Sequence, residues 1–260
     1  MRALVSSSAL LFAMHVPRLL RARRTLIVLI LALGPAVIAW LASHLAKSPS
    51  PGELASNAGW LLILQVVVPL TGLVLGSAAV AEEVDDRTLT YLFTRPMPRA
   101  ALLLGRFAAI AVVLTAILLI GVALFLLAAS RARGEGEPLV AGIARPLLCA
   151  TLLGGVVYAA LAAALGAFVK HPMIVGLGYA FAIEGFLANL PGRNQLLTVQ
   201  HHLRSWVAAS GEPAWGRVES FQASGLLEGS TALVVLASIT IGALVLGSWR
   251  LSRREFVMAS

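Results

Sequence analysis

Two groups of ionisable residues stand out in this apolar chain, and the first lies before its midpoint. Four carboxylates occur within five residues, at Glu82, Glu83, Asp85 and Asp86, and arginines follow them. On a helix that begins here, the carboxylates would lie in the first turn, where the helix macrodipole favours negative charge. A segment that is acidic at one end and basic at the other presents a surface to a soluble partner. We therefore predict a docking segment at residues 82–106.

A short helix is expected inside this docking segment. Leu89 and Leu92 recur at helical spacing and give the helix one apolar face. Pro96 and Pro98 disfavour helical angles at the residues before them, so this helix should end near Thr94. The pattern predicts a short helix that lies across the cytoplasmic ends of two membrane spans.

The second group is centred on Glu184, which lies within an apolar stretch. A carboxylate in a membrane segment is costly and is therefore a functional-site hypothesis by default. Glu184 could belong to a substrate pathway or gate. It could also pair structurally, by reaching the outer headgroups or by capping a neighbouring helix. A proton relay would need further acidic or histidine partners in the spans, and none is visible in the sequence.

Composition defines the class of protein that must position these groups. Hydrophobic residues make up 59% of the chain and charged residues 12%, against about 25% charged in soluble proteins. We predict a polytopic membrane protein with one membrane domain over residues 1–260. The net charge of +8 comes from Lys and Arg beside apolar runs, where they set topology and contact lipid headgroups, so no nucleic-acid binding is expected. A single cysteine excludes a disulfide framework.

The apolar runs predict an all-α fold with six transmembrane helices, each long enough to cross a hydrocarbon core of about 30 Å. Residues 1–24, which end in an arginine cluster, are expected to form an amphipathic helix at the membrane interface. An external loop is expected over residues 191–230, with an amphipathic helix on the membrane surface at 196–207. The predicted spans are 25–45, 59–81, 107–129, 146–169, 173–190 and 231–249.

The distribution of positive charge predicts the orientation of these spans. With six spans, both termini and the docking segment share one face, and this face carries 13 of the 20 Lys and Arg residues. The opposite face carries the other seven. The positive-inside rule therefore places the termini and the docking segment in the cytoplasm.

Signatures of enzymes are missing from the sequence. It contains no HExxH, no GxSxG and no GxGxxG between a strand and a helix. A phosphate loop GxxxxGK[ST] is also absent, and Lys47 and Lys170 are the only lysines. Any ATP that drives uphill work must therefore be hydrolysed by another polypeptide. His201 and His202 lack carboxylate or cysteine companions, so we expect surface residues there and no metal site.

The pattern E-E-x-x-D-R-T-x-x-Y-L-x-x-R-P-x-x-R, followed by Gly105 and Arg106, resembles the permease subunits of ABC-2 type transporters. The resemblance extends over nearly the whole chain, including the basic N-terminal segment and the six spans. It implies that the matching segment is a coupling helix that inserts into a groove on an ATPase subunit. Asp86 departs from the family, because many relatives have glycine there. The implied contact residues are Glu82, Glu83, Asp86, Arg87, Leu89, Tyr91, Leu92, Arg95 and Arg99.

The same resemblance implies partners and a mechanism. A second permease chain would complete a homodimer or heterodimer, and two ATPase subunits would bind ATP and Mg, with no cofactor in this chain. Alternating access or lateral extrusion in the plasma membrane, in the export direction, would follow. One alternative is a scaffold or signalling subunit that docks an ATPase without moving a solute, and another is an intramembrane enzyme that uses Glu184 with His201 and His202. The cargo stays open among lipid, peptide, antibiotic, polysaccharide and a metal-related sulfur species.

Overall fold

The structure is a computed structural model. In its described part the chain is helical and contains no β-strand, so the predicted all-α fold is confirmed there. For residues 2–7, 80–85, 99–100, 188–189 and 193 the description is confined to the backbone. The described residues are 2–44, 49–85, 99–136, 138–139, 141–189, 193–218, 221 and 225–253.

Nine helices are named here in chain order. Helix α3 combines Pro51–Glu53, the π-helical Leu54–Val67 and Val68–Asp85, and α6 combines Pro172–Leu177, the π-helical Gly178–Glu184 and Gly185–Asn189. A 3-10 turn at Arg193–Leu197 precedes α7. The nine are α1 Arg2–Arg21, α2 Arg23–Ser43, α3 51–85, α4 Arg99–Ala129, α5 Ala141–Phe168, α6 172–189, α7 Val199–Ala208, α8 Pro213–Arg217 and α9 Gly229–Arg253.

Five of these helices are long and apolar enough to cross a membrane: α2, α3, α4, α5 and α9. The fifth predicted span, 173–190, corresponds to α6, whose apolar part is the shorter helix Pro172–Leu187. At 1.5 Å per residue, α6 is roughly 27 Å long, slightly less than a hydrocarbon core of about 30 Å. A sixth full span is therefore not confirmed.

The ends of two helices differ from the predicted spans. Helix α3 begins at Pro51 because Ser50 caps its first turn, accepting the Glu53 N–H while the Glu53 carboxylate accepts the Ser50 N–H. Its other end corrects an expectation, since Glu82 and Glu83 lie in the last turn of α3 and not in the first turn of a new helix. Helix α4 begins at Arg99, eight residues before the predicted span.

Helices α3 and α5 form the centre of the bundle and run in the same direction. Gly72 of α3 lies against Tyr158 of α5, and four residues further on Gly76 lies against Ala159 and Ala162. The glycines and alanines at this contact let the backbones of α3 and α5 approach closely, which is how membrane helices associate without a hydrophobic driving force. Helix α4 runs in the opposite direction beside them.

We expect Gly76→Ala to destabilise the bundle. An added Cβ would lie 2.7 Å from Ala159 Cα and 2.8 Å from Ala162 Cβ, and overpacking of this kind costs about 1–3 kcal/mol. Gly242→Ala on α9 is the matched control, because its Cβ would meet no described atom within 4 Å and alanine favours a helix. Unfolding of both variants in mild detergent, followed by circular dichroism, makes the comparison. Equal stability of the two variants would contradict the close packing of α3 on α5.

Helix α7 packs inside the bundle, with eight of its ten residues buried, and the placement of residues 196–207 on a membrane surface stays a prediction. Leu203 packs against Gly154 of α5, and the end of α7 lies beside Gly229 at the start of α9. His201 and His202 are 2% and 3% exposed, so the expectation of surface histidines was wrong. Which side of a membrane this part of the chain faces stays a prediction.

Candidate functional site

The base of the docking segment is held by Arg106. Its side chain is buried, and its Nη1 donates a hydrogen bond to the Ala79 carbonyl of α3 over 3.2 Å. Ala79 precedes the docking segment in the sequence, and Arg106 is the last residue of that segment. A buried guanidinium needs an acceptor, because a charged group without a partner is costly to remove from water. The hydrogen bond therefore ties together the two helices that carry the segment.

Helix α1 packs directly on the same base. A Cβ at Gly105 of α4 would lie 2.6 Å from the Ser8 carbonyl oxygen and 3.0 Å from Leu11 Cβ, so only glycine lets the two helices approach this closely. The buried face of α1 consists of Leu11, His15 and Leu19, spaced at one helical turn. The amphipathic helix and the base of the docking segment therefore form one packed unit.

His15 belongs to this packed unit as a neutral side chain. Burial lowers its pKa to about 4, and the nearby positive charges of Arg106 and Arg18 act in the same direction. At neutral pH the imidazole therefore adds no charge beside Arg106. His15 is 4% exposed, so it lies inside this packed unit and not on its surface.

Three of the nine predicted contact residues lie at the two helix ends that border the segment. The backbone of Glu82 and Glu83 ends α3, and the backbone of Arg99 begins α4. Their assignment to partner contact stays a prediction. Asp86, Arg87, Leu89, Tyr91, Leu92 and Arg95 lie outside the described residues.

Glu184 is the centre of a second, buried polar cluster. Its side chain is 1% exposed, and its Oε2 accepts a hydrogen bond from the Tyr158 hydroxyl of α5. Its Oε1 accepts the N–H of Val199, the first residue of α7, over 3.1 Å. The positive end of the α7 macrodipole therefore points at this carboxyl group. Capping of a neighbouring helix was one of the two structural roles that we predicted for Glu184.

Gln200 extends this cluster to a fourth helix. Its Nε2 donates to the Leu64 carbonyl of α3 over 2.8 Å and to the Tyr158 hydroxyl over 3.2 Å. Thr198 caps α7 independently, since its Oγ1 accepts the His201 N–H over 3.2 Å. One continuous network thus connects α3, α5, α6 and α7.

The two histidines of α7 lie beside this network as neutral groups. Burial lowers the pKa of His201 to about 4, and the positive charge of Arg204 acts in the same direction. Burial also lowers the pKa of His202. Among the described residues, no three His, Cys, Asp or Glu side chains form a group that could hold a metal ion.

The two sites differ in what they can do. The base of the docking segment joins α1, α3 and α4, so movement of one of these helices can pass to the other two. In the Glu184 cluster, both carboxylate oxygens accept hydrogen bonds from the chain itself, which favours structural pairing. A role in a pathway or gate stays a prediction. Sequence reasoning found Glu184 but missed Tyr158 and Gln200, because no spacing rule relates residues on three separate helices.

Comparison with known proteins adds one finding to this geometry. The sequence profile of a family described as ABC-2 family transporter protein matches residues 9–256. The match therefore includes α2 to α9, most of α1 and both sites. A comparison with curated proteins gave no match.

Proposed function

Because this chain belongs to the ABC-2 family of transporter proteins, we propose that it is a permease subunit driven by a separate ATPase. It forms the transmembrane pathway and couples ATP hydrolysis on the partner to movement of a substrate, in the export direction. The observation that carries the proposal is the family match over residues 9–256. ATP and Mg bind to the ATPase, and the permease supplies the path through the bilayer.

The base of the docking segment supports this coupling role. A partner that grips residues 82–99 pulls on α3 and α4 together, because Arg106 bonds to Ala79 across them. Helix α1 moves with them, because Gly105 packs on Ser8 and Leu11. A short segment that is joined to several packed helices can convert a local movement into a rigid-body shift of those helices.

A second permease chain completes the pathway in this proposal. The outer side of α6 exposes large apolar side chains, with Ile174 at 69% and Phe186 at 66% exposure. A Cβ added at Gly178 or Gly185 would meet no described atom within 4 Å, so another helix could approach α6 closely. Export through the plasma membrane, with both termini in the cytoplasm, completes the proposal and rests on charge distribution and family likeness.

Copurification followed by a transport assay tests this function. The tagged chain is isolated from its native membrane, and the expected partner is a soluble subunit with a GxxxxGK[ST] loop. The pair is then placed in vesicles, where ATP hydrolysis above that of the isolated ATPase is expected. Absence of any such ATPase would overturn the proposal. Stimulated hydrolysis without ATP-dependent export of any membrane or soluble solute would favour the scaffold alternative.

A further inference from the structure

A large groove lies between the ends of α2 and α4, on the face opposite to the docking segment. It has a volume of about 1280 Å³. Its deeper walls are apolar, with Leu33 and Val37 on α2 and Leu124 and Leu127 on α4. Val37 and Leu127 are each more than half exposed. The walls of the groove are therefore apolar and partly exposed.

The mouth of the same groove is polar and positively charged. Arg131 and Arg133 follow the last turn of α4 and are exposed at the rim. Trp40 lies opposite, with its ring centroid 4.7 Å from that of His44. Tryptophan at this position marks the headgroup level of a bilayer, where its ring is partly apolar and its N–H is wet. The groove thus has apolar walls between α2 and α4 and two arginines beyond the end of α4.

A second groove in the same bundle shows that this polarity is a specific feature. It lies between α5 and α9, with a volume of about 470 Å³, and is lined by Leu152, Leu153, Leu236 and Ile241 among others. Among the described residues that line it, none is Lys, Arg or His. Such a groove suits acyl chains of any lipid, whereas the groove between α2 and α4 adds two guanidinium groups, which bind phosphate oxygens well.

We propose that the groove between α2 and α4 binds an anionic phospholipid of the surrounding bilayer. The phosphate lies at Arg131 and Arg133, and one acyl chain follows the apolar walls between the two helices. Charge complementarity selects the headgroup. Each Lys or Arg near the membrane surface raises the affinity for anionic lipid about fivefold. The assignment does not depend on an ATPase partner or on transport.

Quenching of Trp40 fluorescence by brominated lipid tests the site. The full chain is placed in phosphatidylcholine vesicles that contain brominated phosphatidylglycerol or, in parallel, brominated phosphatidylcholine. A W40F variant supplies the background from the other tryptophans. We expect Trp40 to be quenched more strongly by the anionic lipid, and the apparent preference to fall about fivefold in R131Q and about twentyfold in R131Q/R133Q.

Arg145→Gln is the matched control, since Arg145 is exposed near the start of α5 but does not line the groove. The preference should persist in this variant. Both rim arginines are exposed, and an unchanged circular dichroism spectrum of R131Q/R133Q verifies that the variant folds. Equal quenching by the two lipids, or a preference that survives R131Q/R133Q, would overturn the proposal. A preference that R145Q reduces as much as R131Q would indicate general surface charge and overturn it as well.

Discussion

In E82Q/E83Q, copurification of the ATPase subunit is expected to fall by about tenfold or more, while the permease itself keeps or gains stability. Close charge pairs across an interface contribute about 1.5 kcal/mol or more each, and 1.4 kcal/mol is tenfold in affinity. The backbone of Glu82 and of Glu83 lies in the last turn of α3, a position where the macrodipole disfavours a negatively charged residue by about 0.3–1 kcal/mol each. Neutralising them therefore removes an unfavourable term from the free chain and a favourable one from the complex.

Assembly and stability are expected to change in opposite directions, so measuring both distinguishes a lost contact from misfolding. Copurification and stimulated ATP hydrolysis report on assembly, and unfolding of the isolated permease in detergent reports on stability. E135Q/E228Q is the matched control, because Glu135 and Glu228 are exposed carboxylates outside the docking segment, and it should assemble normally. Normal assembly of E82Q/E83Q would count against a coupling role for this segment. A loss of assembly accompanied by an equal loss of stability would point to misfolding instead.

Hydropathy was enough to find the long helices. The first predicted span, 25–45, corresponds to Arg23–Ser43, and the fourth, 146–169, corresponds to Ala141–Phe168. Both succeed because an apolar run in a membrane has to satisfy its own backbone, and a helix does so within the segment. The second predicted span, 59–81, begins eight residues after Pro51, where α3 begins. The Ser50 and Glu53 capping box, present in the sequence, was the signal for an earlier start.

Helix α7 shows where reasoning from pattern fails. Its polar residues predicted a helix half in water, yet Gln200, His201 and Arg204 are buried in the bundle. Tertiary partners offset the preference of these polar residues for water, since Glu184 accepts the N–H of Val199 and Gln200 donates to the Leu64 carbonyl. Such partners are 15 and 136 residues away in sequence, and periodicity within one helix carries no information about them.

Glu184→Ala is expected to cost about 2–6 kcal/mol of stability. The substitution leaves the Tyr158 hydroxyl without its carboxylate acceptor and the Val199 N–H without a partner in the bundle. A buried donor that loses its partner costs about 1–3 kcal/mol, and two donors are affected. Unfolding in mild detergent, followed by circular dichroism, measures the loss. Stability like that of the unaltered chain would contradict the network that connects α5, α6 and α7.

Glu184→Gln separates a structural role from a role in a pathway or gate. The amide oxygen can still accept the Val199 N–H, so the cost should be less than half of that in Glu184→Ala. We expect transport per folded molecule to stay within about twofold of the unaltered protein, because the Glu184 oxygens already accept donors from the chain and a structural anchor needs hydrogen bonds but no charge. A well-folded Glu184→Gln protein that loses transport more than about tenfold, which corresponds to about 1.4 kcal/mol, would show that the charge itself acts in the pathway. Tyr158→Phe is the companion variant: it removes a donor to the carboxylate and keeps the charge, so transport lost only in Glu184→Gln would point to the charge and not to the network.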